Sequence, residues 1–208
     1  MRRATEVHSM NPRRHGLRAL GCCLVAPLLG PTRAAAGDGD GAAALAALAA
    51  LRQGGVTVMM RHALAPGTFD PPGFKLDDCA TQRNLSDEGR DHARRIGSWF
   101  RARWLVPTAV RSSQWCRCRD TATLAFGTAI DWTALNSVLA AREREPEQTA
   151  ALRAALARLP RGRFEVWVTH QGNIGALVGE PAAPGDAVVL RHDAAAGGVV
   201  VVATLRVE

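Results

Sequence analysis

Two histidines, two arginines and a pair of serines stand where short apolar runs of the chain end, and these residue types together suit phosphate chemistry. His62 follows Arg61 just beyond the run 56–60, and His170 follows the run 164–169. Ser112-Ser113 follow a third short run, 108–111, and Arg117 comes four residues after Ser113. The start of a helix offers backbone N–H groups with no partner inside the helix, and a guanidinium offers a planar fork of donors. Both match the oxygens of a phosphoryl group. An imidazole among them can act as a nucleophile on phosphorus. Zinc held by His62, His170 and cysteines is a competing use of the same side chains, but their spacing matches no common zinc pattern. His92 and His192 belong to no such arrangement and read as surface histidines.

For these groups to meet, the runs that carry them must be neighbouring strands. Runs 56–60 and 164–169 are short and almost continuously apolar, as in strands covered on both faces. Between them lie segments with helical spacing. Residues 42–52 are alanine-rich, with Leu45, Leu48 and Leu51 along one stripe, and Gly54-Gly55 stops that helix. Ser86-Asp87-Glu88 supply a cap and an acidic first turn for a helix to about residue 104, with Ala93, Ile96, Gly97 and Phe100 inward. Ser113 would cap a helix over 114–126. Residues 147–159 form another, with Ala151, Leu152, Ala155, Leu156 and Leu159 inward and Pro160 behind it; 173–178 form a last one. Strands at 108–111, 129–132, 188–190 and 199–205 complete the pattern, with a turn at Gly197-Gly198. Strands alternating with helices predict an α/β domain over 37–208: a three-layer α/β/α sandwich on a mostly parallel sheet. Its ligands would bind at the carboxyl ends of the strands. The segment 63–84 holds Pro66, Gly67, Pro71, Pro72 and Gly73 and shows no period, so it reads as a long loop, and long loops in compact domains tend to be functional.

At these positions the sequence resembles the histidine phosphatase superfamily, the phosphoglycerate-mutase-like proteins. Met60-Arg61-His62-Ala63 is similar to that family's R-H-G/A signature, and Asn84-Leu85-Ser86-Asp87-Glu88-Gly89 to its L-(S/T)-x-x-G helix start. Ser112 to Ala122 is similar to its S-S-x-x-x-R-x-x-(Q/D)-T-A segment, and Val168-Thr169-His170 to its second-histidine strand. The motifs fall in the family's order across residues 42–206. The resemblance implies that His62 carries a phosphohistidine intermediate, while Arg61, Arg117 and His170 hold the phosphoryl oxygens. It implies a small phosphorylated substrate and no metal or other cofactor. A neutral imidazole must attack, so activity should fall below the pKa of His62, which neighbouring guanidiniums should lower.

The general acid departs from the family pattern. Many members carry a glutamate in an L-x-E segment; here the similar segment is Leu135-Asn136-Ser137, and a serine hydroxyl is a poor proton donor near neutral pH. Glu143, Glu145 and Asp70 are the candidates to replace it, with Glu147, Asp77 and Asp78 close by in sequence. A leaving group that needs less help, as in phosphohistidine phosphatases, is the other solution. A non-catalytic binder of phosphorylated ligands, a phosphosugar phosphatase and a mutase remain as alternatives.

Charge and cysteines bear on location. The 208 residues carry 26 Lys+Arg against 19 Asp+Glu, a formal net charge of +7, which would suit nucleic acid. The excess is concentrated at the start. Arg2, Arg3, Arg13, Arg14 and Arg18 lead into an apolar stretch, 17–29, that ends at Pro31 and Ala34-Ala35-Ala36. This is the layout of a signal peptide over residues 1–36, and Arg13-Arg14 with Leu17 fits the twin-arginine type. The stretch is too short for a stable membrane span. The leader holds six arginines and one acid, Glu6, so its removal lowers the net charge by five to +2. A periplasmic or secreted protein is then expected, with no nucleic-acid partner. Cys79, Cys116 and Cys118 remain after cleavage, enough for one bridge in an oxidising compartment; Cys79–Cys116 and Cys79–Cys118 are the two pairings that would tie the long loop to the Arg117 helix.

Overall fold

The computed structural model describes residues 38–207; the leader expected at 1–36 lies outside the described residues. Its sheet has six strands: β1 (Val56–Arg61), β2 (Ala109–Ser112), β3 (Ile130–Asp131), β4 (Phe164–Thr169), β5 (Ala187–Asp193) and β6 (Gly198–Leu205). Their order across the sheet is β3-β2-β4-β1-β5-β6. The first four run parallel, whereas β5 pairs antiparallel with β1 and β6 antiparallel with β5.

Alternation along the strands assigns the two faces. Val56, Val58 and Met60 of β1 and Phe164, Val166 and Val168 of β4 pack with α1 (Asp38–Gln53), α2 (Asp87–Arg101) and α3 (Cys116–Phe126). Met59 and Trp167 point the other way, into a cluster with α4 (Glu145–Leu156) and α5 (Gln171–Val178). Because both faces are covered, these strands lack the polar alternation of a half-exposed sheet.

The register of the central strands sets up the site. Arg61 pairs with Thr169 and Ser112 with Val168, so β1, β2 and β4 end nearly level. The next residues of each strand then leave the sheet side by side: His62 N–H donates to the Thr169 carbonyl at 3.0 Å, and Ser113 N–H to that of Val168 at 2.9 Å.

Several boundaries differ from expectation for local reasons. Leu45 is 69% exposed, and the buried stripe of α1 is Ala47, Ala50 and Leu51. A strict spacing of three turns back by about 60° per step on an α-helix, so Leu45 and Leu51 cannot share one face. α2 stops at Arg101, and Trp104 takes a positive φ of 56° with its ring in solvent. α3 begins at Cys116 rather than 114; the Ser113 hydroxyl accepts the Trp115 N–H but is shared with His170 and Asn136. α4 begins at Glu145 and ends at Leu156, keeping Leu152 and Leu156 buried.

Candidate active site

Arg61, His62, Arg117 and His170 come together at the carboxyl ends of β1 and β4, in a cavity of about 550 Å³. His62 is buried, and its Nδ1 lies 2.8 Å from its neighbour's carbonyl oxygen, that of Ala63. A carbonyl only accepts, so Nδ1 carries the proton and Nε2 is the unprotonated nitrogen. Arg117 Nε donates to that Nε2 at 3.2 Å. His170 is arranged the other way round: its Nε2–H donates to the Ser113 hydroxyl at 2.9 Å, leaving Nδ1 to face Arg117 Nη2 at 3.5 Å. The two imidazoles are 5.5 Å apart, ring centre to ring centre, and steeply inclined.

The long loop 63–84 contributes two charged groups. Asp70 forms a two-pronged ion pair with Arg117, at 2.8 Å to Nη1 and 3.2 Å to Nη2. Arg83 faces the same cavity, anchored through Nη1 on the Ala65 carbonyl. Sequence reasoning did not single out Arg83; its one signal is its place immediately before the Asn84-Leu85-Ser86 helix start. Arg61 is anchored similarly, through Nη1 on the Ala182 carbonyl. The Nε atoms of both Arg61 and Arg83 are buried without a hydrogen-bond partner. With Arg142 included, four guanidiniums line a cavity that holds one carboxylate and two imidazoles, which leaves it positive.

The loop is held to α3 at several points. Cys79 and Cys116 form a disulfide, leaving Cys118 as a buried free thiol. Gln82 Oε1 accepts the Cys116 N–H at 3.0 Å. The N–H groups of Gln114 and Trp115 go to Asn136 and to the Ser113 hydroxyl. The start of α3 is therefore largely occupied by protein acceptors, and the expectation of an open helix N-terminus for phosphate shifts to the guanidiniums.

Burial and charge set the protonation states. The pKa of His62 is pushed down to about 3, first by burial and then by the charges of Arg117, Arg61 and Arg83. The guanidinium effect expected from sequence is present but second to burial. His170 is held well below the usual histidine value by burial, then by His62 and the same arginines. Both rings are neutral near pH 7. Burial would raise the Asp70 pKa, but hydrogen bonds from Arg117, Arg83 and Trp115 hold it below the ordinary carboxylate value. The Cys118 thiol is pushed up to about 12 by burial and is not a nucleophile near neutral pH.

Of the expected proton donors only Asp70 lines the cavity, and it is ionised. Glu143 and Glu145 are exposed and do not reach the cavity. The single turn Arg142–Arg144 presents Arg142 to the cavity instead, and Glu145 sits in the first turn of α4, where the helix dipole favours a carboxylate at the surface. Ser137 lines the cavity where the family pattern would place an acid. Among the described residues no group of three or more histidine, cysteine or acidic side chains is placed to hold a metal ion. No helix among them is long and apolar enough to cross a membrane.

No family model matches the chain, and no curated protein matches it significantly. Solved structures do resemble it. SixA of Agrobacterium tumefaciens, assigned as a phosphohistidine phosphatase, superposes with a TM-score of 0.50 at 20% identity, covering 73% of this chain and 97% of that one. The phosphoserine phosphatase of Entamoeba histolytica, solved with 3-phosphoglyceric acid, gives 0.51 at 8% identity, covering 74% and 98%. The chain therefore has the phosphoglycerate-mutase-like fold of the histidine phosphatases.

Proposed function

We propose that this protein is an exported phosphoric-ester hydrolase that passes the phosphoryl group through His62. The observation that carries the reading is the unprotonated Nε2 of His62, resting on Arg117 Nε–H in a cavity lined by the guanidiniums of Arg61, Arg83, Arg117 and Arg142. A phosphoryl group between the two histidines would take over the Nε–H and Nη2–H of Arg117 that now rest on them. It would also engage Arg61 and Arg83, whose Nε–H groups have no partner. Nε2 of His62 then attacks phosphorus as the bond to the leaving oxygen breaks, and Nδ1 keeps its proton on the Ala63 carbonyl. Water next attacks the phosphohistidine and releases inorganic phosphate and the free imidazole. The fixed cations stabilise the charge on the phosphoryl oxygens in both steps. The two solved phosphatases of this fold support a phosphatase activity in general. Export is supported by the leader's composition and by the Cys79–Cys116 bridge, since such bridges persist in oxidising compartments.

A second reading, a non-catalytic binder of phosphorylated ligands, is favoured by Ser137 and by the absence of an uncommitted carboxylate among the residues lining the cavity. 4-Nitrophenyl phosphate separates the two, because its leaving group needs no enzyme proton. The hydrolase reading expects turnover by the wild type and none by His62→Ala. Binding of inorganic phosphate without turnover would favour the binder, and full activity in His62→Ala would remove His62 from the nucleophile role.

A further inference from the structure

Arg117 has five N–H groups, and each has an acceptor. Nε–H meets His62 Nε2; one Nη2–H meets His170 Nδ1 and the other Asp70 Oδ2; one Nη1–H meets Asp70 Oδ1 and the other the Arg83 carbonyl at 3.2 Å. The planar group is thus shared between two edges. The Nη1/Nη2 edge is clamped by Asp70, while the Nε/Nη2 edge faces the gap between the two histidines, where a phosphoryl group would sit. Asp70 is itself fixed. Besides Arg117 it accepts Trp115 Nε1–H at 3.0 Å on Oδ2 and Arg83 N–H at 3.0 Å on Oδ1. Its side chain and that of Arg117 are 11% and 5% exposed.

We propose that Asp70 is a positioning residue for phosphoryl transfer: it holds the Arg117 guanidinium so that the Nε/Nη2 edge points at the reacting phosphorus, and it does not donate a proton to the leaving group. Four donors surround its two oxygens, so both are committed as acceptors. A carboxylic acid in that place would lose the two-pronged contact that fixes Arg117. Its negative charge also offsets part of the positive charge that the guanidiniums bring to the cavity, lowering the cost of keeping them close.

This inference rests on the hydrolase reading, and the two can fail separately. The test compares 4-nitrophenyl phosphate with phenyl phosphate, which differ in how readily the leaving group departs, in wild type and Asp70→Asn. The expected result is a loss in kcat/KM of about 100-fold on both substrates, with their ratio unchanged, since a misplaced catalytic group costs on that order. A proton donor would instead lose far more on phenyl phosphate than on the nitro compound, and that pattern overturns the proposal, as does an unchanged rate. If the wild type turns over neither substrate, the hydrolase reading fails and this inference falls with it. Should Asp70→Asn not fold, Trp115→Phe serves in its place: it keeps the ring and removes one donor to Asp70. It should lower both rates by one common factor, and an unequal loss, or no loss on either substrate, contradicts the positioning role.

Discussion

His62 and His170 are kept neutral by being buried beside fixed positive charge, and that arrangement has a measurable consequence for stability. Their folded pKa values lie below the value of about 6.5 they would have when unfolded. Below that pH the unfolded chain binds protons that the folded chain does not, so stability falls as the pH drops below about 6.5, for His62 as far as about 3. Denaturant unfolding at pH 7 and pH 5 should show the loss, and His62→Gln should reduce it. An equal pH slope in wild type and variant would contradict the burial account. His62 and His170 were legible in the sequence because each follows the end of an apolar run, Arg61 because it precedes His62, and Arg117 because it opens the helix after a third strand; strand ends converge in a parallel sheet. The partner of Arg117 was not. Asp70 lies in a loop with no period, and only the path of that loop brings it to the guanidinium while Glu143 and Glu145 stay at the surface.

At the scale of elements, the loop 63–84 and the starts of α2 and α3 act as one unit. The glycine of the Leu85-Ser86-Asp87-Glu88-Gly89 turn has a steric basis: a methyl group on Gly89 would run into the Leu64 carbonyl, two residues beyond His62. Gly89→Ala should therefore destabilise the fold by about 1–3 kcal/mol, the range for overpacking, and disturb the loop next to His62. Thermal unfolding together with turnover would check both effects. The Cys79–Cys116 bridge closes a separation of 37 residues, which the chain-entropy account values at about 4 kcal/mol. Cys79→Ser should lower stability on that order and also lower activity, since the loop carries Asp70 and Arg83. Loss of stability with full turnover would show that the loop holds its place without the bridge. The buried strands were legible almost to the residue because both faces are covered. Helix ends were less so. Ser113 has the residue type of a cap and its hydroxyl does accept the Trp115 N–H, but it also bonds His170 and Asn136, a competition that residue type alone does not reveal.

For the whole molecule, the net charge of +7 divides into two parts of different meaning. The larger part sits in the first 36 residues, where it fits an export leader. The part that matters to the chemistry is local: Arg61, Arg83, Arg117 and Arg142 around one cavity, a scale suited to a single phosphoryl group rather than a nucleic-acid backbone. The α/β architecture was legible from alternating strand and helix patterns, and the turn at Gly197-Gly198 pointed to β5 and β6 as neighbours, but the antiparallel pairing of β5 with β1 was not legible, because a short apolar run does not state its direction. Passage of the phosphoryl group through His62 can be observed by mixing the protein with 4-nitrophenyl phosphate, quenching within milliseconds under alkaline conditions that preserve phosphohistidine, and mapping the phosphopeptides. Phosphate is expected on the peptide containing Arg61 and His62, and none in His62→Ala. Phosphate on another residue, or turnover with no phosphorylated protein at any time point, would contradict it.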